Sequence, residues 1–218
     1  KAAQLFDGTG DAGFGDTVFQ AVLENVNGTR KGFVSTDGKT GDYSSVWTVE
    51  REFDGRTSLI TNPEDGRMPP MTPAGQKRRE AEAAKRFGRA DGPEDRRLQE
   101  RCITYGSPQL TAGYQSYYQI LQTPTEVAFL TEMIHDVRVI HLEARPHIPP
   151  AIRGWLGDSR GRWEGGTLLV DTSNYKPSAF MSISSEQLHV TERFSRVDAE
   201  TLKYEVTIND PGTWMKPW

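Results

Sequence analysis

The segment LTEMIHDVRVIHLEARPH, Leu130 to His147, gathers three of the chain's four histidines with Glu132, Asp136 and Arg138. Imidazoles and carboxylates exchange protons, and a guanidinium holds an anionic group or a developing oxyanion, so these residue types suit general acid–base chemistry. Glu132 and His135 are the candidate proton-handling pair and Arg138 the anion-orienting group, provided all three reach one hollow. Glu192 or His189, from the last pair of strands, would complete its wall. Tyr118, Phe129, His141, Trp163 and Tyr204 would supply its ligand-binding surface. The competing reading is a buried salt bridge, Glu132–Arg138 or Asp136–Arg138, that pins a strand corner.

Glu192 is the most informative single residue. The run Leu188 to Arg196 alternates Leu188, Val190, Glu192 and Phe194 with His189, Thr191, Arg193 and Ser195, so the apolar phase carries Glu192 inward. A carboxylate in the middle of an apolar face costs several kcal/mol unless paired. Arg138, Arg193 or a histidine must meet it, or the face borders a wet cavity. On the next strand Leu202, Tyr204, Val206 and Ile208 share one face.

Metal chemistry is the minority reading. His135, His141 and His147 recur every six residues, without the H-x-H or HExxH spacing that brings two imidazoles to one ion. No cofactor is expected: the phosphate-cradling glycine motifs are absent, and so is the G-x-S-x-G of a nucleophile elbow. Cys102 is the only cysteine, which excludes an intrachain disulfide and a Cys-based zinc site, and it is expected to be a small buried side chain at a helix end.

The elements that would position these groups are mostly strands. Residues 1–16 are Gly-rich and read as an arm preceding a single domain over 17–218. Strands are expected at Thr17–Val26, Ser44–Phe53 and Thr57–Thr61. Thr72-Pro73 has the form of an N-cap followed by Pro at the first helical position, and the helix should end at Gly88. A second short helix is expected from Pro93, so that 73–101 forms a helical excursion. Its nine basic and six acidic residues between Lys77 and Arg101 read as a solvated cap over one end of the sheet, with a protein-interaction face as the weaker alternative.

From Ser116 the pattern returns to β. Two strands flank Thr123-Pro124, a third covers Asp136–Glu143, and a Pro-rich crossing loop follows. One hairpin turns at Gly165-Gly166 and another at Asp198–Glu200. Successive strands on short turns imply a mainly β fold, an antiparallel meander closing into a lipocalin-like barrel, with a β-sandwich as the alternative.

Length, 218 residues, permits a core without disulfides, and the formal charge of −4 offers no basic field for nucleic acid. No apolar run is long enough to span a membrane. An exposed edge strand would permit a homodimer. A start at Lys1 rather than Met fits removal of a leader.

LTEMIHDVRVIHLEARPH, GWLGDSRGRWEGGTLLVDT and HVTERFSRVDAETLKYEVTINDPGTW, with SLITNPEDGRMPPMTP upstream, together resemble an uncharacterised family of mostly exported bacterial β-rich proteins. The resemblance spans roughly Ser58 to Trp218. It implies an exported, soluble β-rich domain and transfers no catalytic residue. Two functional expectations follow from the residues. The first is a cofactor-independent acid–base enzyme, of lyase, isomerase or hydrolase type, acting on a small apolar or aromatic molecule. The second is a lipocalin-like protein that binds an apolar ligand without chemistry.

Overall fold

The computed structural model describes residues 58–108 and 117–218, which apart from Ser58 and Leu59 belong to one compact unit, Ile60–Leu110 with Ser116–Trp218. The expected arm and the strands at Thr17–Val26 and Ser44–Phe53 lie outside the described residues. Ser58 to Thr61 carry no strand, a correction to the third.

The α-helix among the described residues, α1 (Pro73–Phe87), begins where the capping signal places it. Thr72 Oγ1 accepts from the Gly75 amide at 3.0 Å, satisfying one of the orphan donors of the first turn, and Gly88 caps the other end. Arg78 of α1 donates to the Ile183 and Gly212 carbonyls at 2.8 and 2.6 Å and to Thr213 Oγ1 at 2.8 Å. The helix is therefore docked through polar bonds onto the loops at one end of the sheet. The second expected helix shrinks to a 3-10 turn, Pro93–Asp95. Cys102 is exposed in the turn that follows, with φ 51°, and is not the buried helix-end residue expected.

Seven strands follow among the described residues: β1 (Tyr118–Gln122), β2 (Glu126–Thr131), β3 (Val137–His141), β4 (Asp158–Glu164), β5 (Thr167–Ser173), β6 (His189–Arg196) and β7 (Leu202–Asn209). Among the described residues they form a single sheet in sequence order, not two packed sheets. All neighbours are antiparallel except β3 and β4, which pair in parallel at Ile140↔Ser159 and His141↔Arg160. The Pro-rich segment between them causes that departure from a pure meander, because a parallel neighbour needs a crossover where an antiparallel one needs only a turn. Gly165, with φ +59°, makes the expected turn between β4 and β5.

The sheet is curled into a half-barrel. Phe129 of β2 and Phe194 of β6 have ring centroids 5.1 Å apart, although four strand spacings separate them, about 19 Å in a flat sheet. β1 and β7 are the two edges, and no strand pairing joins them among the described residues. Alternate residues of every strand face the concave side. Toward one end Val190, Ile208, Leu188, Phe180 and Trp214 form a buried core. Toward the other Val127, Ile140, Leu168 and Val170 do the same. Gly161 of β4 leaves room there for Ile140 and Leu142, whose methyls lie 2.7 and 2.9 Å from where a Cβ would stand.

Candidate functional site

Between those two apolar clusters the concave face carries one charge pair. Register places Arg138 opposite Phe129 and Glu192 opposite Val170, so both point inward from strands three apart in the sheet. Arg138 Nη1 donates to Glu192 Oε1 at 3.0 Å and Nη2 donates to Oε2, a bidentate pairing of guanidinium and carboxylate. Arg138 also donates from Nε to Ser159 Oγ at 3.0 Å and from Nη2 to Thr172 Oγ1 at 2.8 Å. The Tyr204 hydroxyl donates to Glu192 Oε1 at 2.7 Å. The side chains are 11% and 2% exposed for Arg138 and Glu192, so water screens the pair little.

The electrostatics follow from that burial. Desolvation alone would lower the Arg138 pKa, but the Glu192 carboxylate more than offsets it, and the guanidinium is held charged. Burial, then the neighbouring Glu192, pushes the Tyr204 hydroxyl well above its ordinary value. Burial pushes Tyr175 up to about 12, with Arg138 opposing the rise. The triad thus contains a permanent cation, its counter-ion and a protonated phenol.

The pair and Tyr204 sit in the wall of a cavity of about 200 Å³. Phe129, Phe194, Ile120, Leu156 and Leu202 give it apolar sides, and Tyr118, Thr131, Asp136, Gly106 and Ser107 complete the lining. Phe194 stacks on Tyr204 with centroids 4.8 Å apart, extending an aromatic surface from Phe129 to β7. Residues of both edge strands, Tyr118 and Ile120 of β1 and Leu202 and Tyr204 of β7, border the cavity, so it lies along the open seam of the half-barrel.

Of the candidate residues, the structure brings together Arg138, Glu192, Tyr118, Phe129 and Tyr204. Glu132 and His135 are not with them. β2 ends at Thr131, and the 3-10 turn Met133–His135, with left-handed backbone at Ile134 and His135, leaves both side chains exposed and outside the lining. His189 is three residues from Glu192 along one strand and therefore on the opposite, convex face. His141 is also convex, its Nδ1 3.0 Å from Glu126 Oε1. Trp163 is 47% exposed and borders no part of the cavity. Asp136 does not pair with Arg138: its Oδ2 accepts from Thr104 Oγ1 and the Tyr105 amide, both at 2.8 Å.

Sequence reasoning missed Ile120, Leu156, Phe194 and Leu202 as cavity walls, and Ser159 and Thr172 as the hydroxyls that hold Arg138. Alternation on β4, β5 and β6 carries the signal for the inward pair Ser159–Thr172 and for Phe194, while Leu156 lies in an irregular loop with no periodicity to read.

A second polar cluster occupies the convex face. His147 of the crossing loop places Nδ1 2.7 Å from Asp158 Oδ2 and Nε2 2.8 Å from Asp171 Oδ1. His189 Nε2 lies 2.7 Å from Asp171 Oδ2. Among the described residues no set of three or more His, Cys, Asp and Glu is arranged to hold a metal ion. These contacts tie the crossing loop to β4, β5 and β6.

Among the described residues no helix is long and apolar enough to cross a membrane. Comparison with protein-family models, with curated proteins and with solved structures returns no match.

Proposed function

We propose that the half-barrel is a binding domain for one small apolar or aromatic molecule, held in the seam cavity without chemical conversion. The observation that carries this reading is the cavity's make-up: apolar walls of single-ring size beside a charged pair, Arg138 and Glu192, whose members already satisfy one another. A dry cavity of about 150 Å³ accommodates benzene, so a space near 200 Å³ suits one substituted ring. Convergence of apolar walls on a few placed polar groups is what a ligand site requires.

Acid–base catalysis is supported less well. None of the four histidines borders the cavity, and the proposed pair Glu132 and His135 is exposed outside it. Four of the five Arg138 N–H donors are engaged by Glu192, Ser159 and Thr172, and Glu192 already supplies its counter-charge, which leaves it poorly placed to receive a developing oxyanion. Action outside the cytoplasm belongs to the same proposal, supported by the motif resemblance to exported bacterial proteins.

The test is titration with toluene, read by thermal shift and by NMR shifts of the Phe129 and Phe194 rings. Leu202→Trp, at a half-exposed wall position, should fill the seam and abolish the response while leaving the fold intact. Toluene that leaves the wild type unmoved, or that perturbs both proteins equally, refutes a binding role for this cavity.

A further inference from the structure

We propose that the cavity is selective for a small organic cation, an amine carried on an apolar or aromatic body. This rests on the binding reading above and names the chemistry of the ligand. Three side chains of the acidic and basic types line the cavity: Asp136, Arg138 and Glu192. Arg138 and Glu192 neutralise one another through two hydrogen bonds. Asp136 is left over. Among the described residues only its Oδ2 is engaged, by Thr104 Oγ1 and the Tyr105 amide, and it forms no ion pair with any of them, not even with Arg138 two residues on. The other oxygen, Oδ1, has no hydrogen-bond partner among the described residues.

The lining therefore carries one uncompensated negative charge beside the aromatic rings of Phe129, Phe194 and Tyr204. An ammonium group gains from both, through an ion pair with the half-buried carboxylate and through the ring faces. A carboxylate ligand gains from neither: it meets Asp136 as a like charge, and it can take Arg138 only by stripping Glu192 of its partner in a buried site. Arg138, the group that sequence alone marks as an anion receptor, is thus the reason an anion is refused.

Three probes of one shape separate the possibilities on the wild-type protein: benzylamine, benzyl alcohol and benzoate, each titrated by NMR at pH 7. Benzylamine should bind at least about tenfold more tightly than benzyl alcohol at low salt, and benzoate should not bind. Between roughly 0.01 M and 1 M salt the benzylamine affinity should fall several-fold while that of the alcohol holds. Asp136→Asn keeps an acceptor for Thr104 and Tyr105, and should abolish the preference for benzylamine over the alcohol. Equal binding of amine and alcohol, or preference for benzoate, overturns the cation proposal and leaves the cavity reading standing. Failure of all three probes and of toluene overturns both. Should Asp136→Asn not fold, the wild-type series and its salt dependence decide the question alone.

Discussion

Replacing Arg138 by Met should be among the most destabilising single changes in the described domain. Met keeps much of the side-chain length but removes four hydrogen bonds: two to Glu192, one to Ser159 and one to Thr172. Ser159 and Thr172 retain each other at 3.1 Å, so they contribute little to the loss. Glu192 does not recover. It is 1% exposed, and its remaining donor is the Tyr204 hydroxyl. An unpaired buried carboxylate of this kind costs about 3–5 kcal/mol. For a chain of this size that is a drop in melting temperature of roughly 6–20 °C. Adding Glu192→Leu removes the orphaned charge and should return most of the loss, since apolar replacement of a buried pair is often neutral or better. Tyr204→Phe in the same background removes the donor then left without an acceptor, worth roughly 1–2 kcal/mol. Urea unfolding followed by circular dichroism and tryptophan fluorescence measures all three proteins. A single Arg138→Met variant within about 1 kcal/mol of wild type would mean that Glu192 reaches water. A triple variant no more stable than the single would show that packing, not charge, sets the cost. Either result refutes the burial reasoning.

Two further outcomes follow from the convex face and the helix. Asp171 is held below its ordinary value of 3.8 chiefly by its hydrogen bond with His189, against the opposing effect of burial, and that same bond holds His189 above its ordinary 6.5. The depressed carboxylate stabilises the fold above about pH 4 and loses that contribution as pH falls through its lowered value. The raised imidazole stabilises below about pH 6.5 and loses its contribution as pH rises through its raised value, so the bond is strongest between those limits. Because both groups are more than a third exposed, solvent screening confines the gain to about 0.5–1 kcal/mol. His189→Gln should therefore lower the urea midpoint at pH 5.5 and leave it unchanged at pH 9; an equal loss at both points to packing instead. At the helix, Thr72→Ala removes the acceptor for the Gly75 amide and the Oγ1 bond to Gly212 at 2.9 Å, for a loss of about 1 kcal/mol in the same assay. No measurable loss would place the anchoring of α1 entirely in Arg78.

Strand periodicity made much of the concave face legible. A period of two put Glu192 between Val190 and Phe194, and Tyr204 in phase with Leu202 and Val206, and those assignments depend only on residues within one strand. The same rule separates His189 from Glu192, three positions away, so its exclusion from the cavity was open to reading as well. Turns were less readable where no glycine or proline dictated them. Thr72-Pro73 and Gly165-Gly166 announce their geometry chemically, and α1 and the β4–β5 hairpin appear as expected. The stretch from Glu132 to Asp136 has no such signal: Ile134 and His135 take left-handed φ values of 55° and 47° as ordinary L residues. Periodicity fixes which side chains share a face along a strand, but the phase across a turn depends on how many residues the turn consumes. The sequence therefore leaves open whether Glu132 and His135 share a face with Arg138 beyond the turn, and the structure places both outside the cavity.

Curvature, by contrast, is implied once the inward charges are paired. Arg138 stands on β3 and Glu192 on β6, three spacings or about 14 Å apart if the sheet were flat. Neither residue tolerates burial on an apolar face without the other. Two extended side chains spanning that gap along a flat sheet would cross the intervening side chains of β4 and β5, and only Ser159, Gly161 and Thr172 there are small. The small inward residues and the two complementary charges are satisfied together when the sheet bends about β4 and β5. The hydroxyls of Ser159 and Thr172 then meet the guanidinium from below, as they do here. The ion pair that looks like a reactive centre in the sequence is better understood as the tie that holds the half-barrel bent. In the binding role proposed above, the space that bend encloses, with Asp136 at its wall, is where a ligand's own charge would be selected.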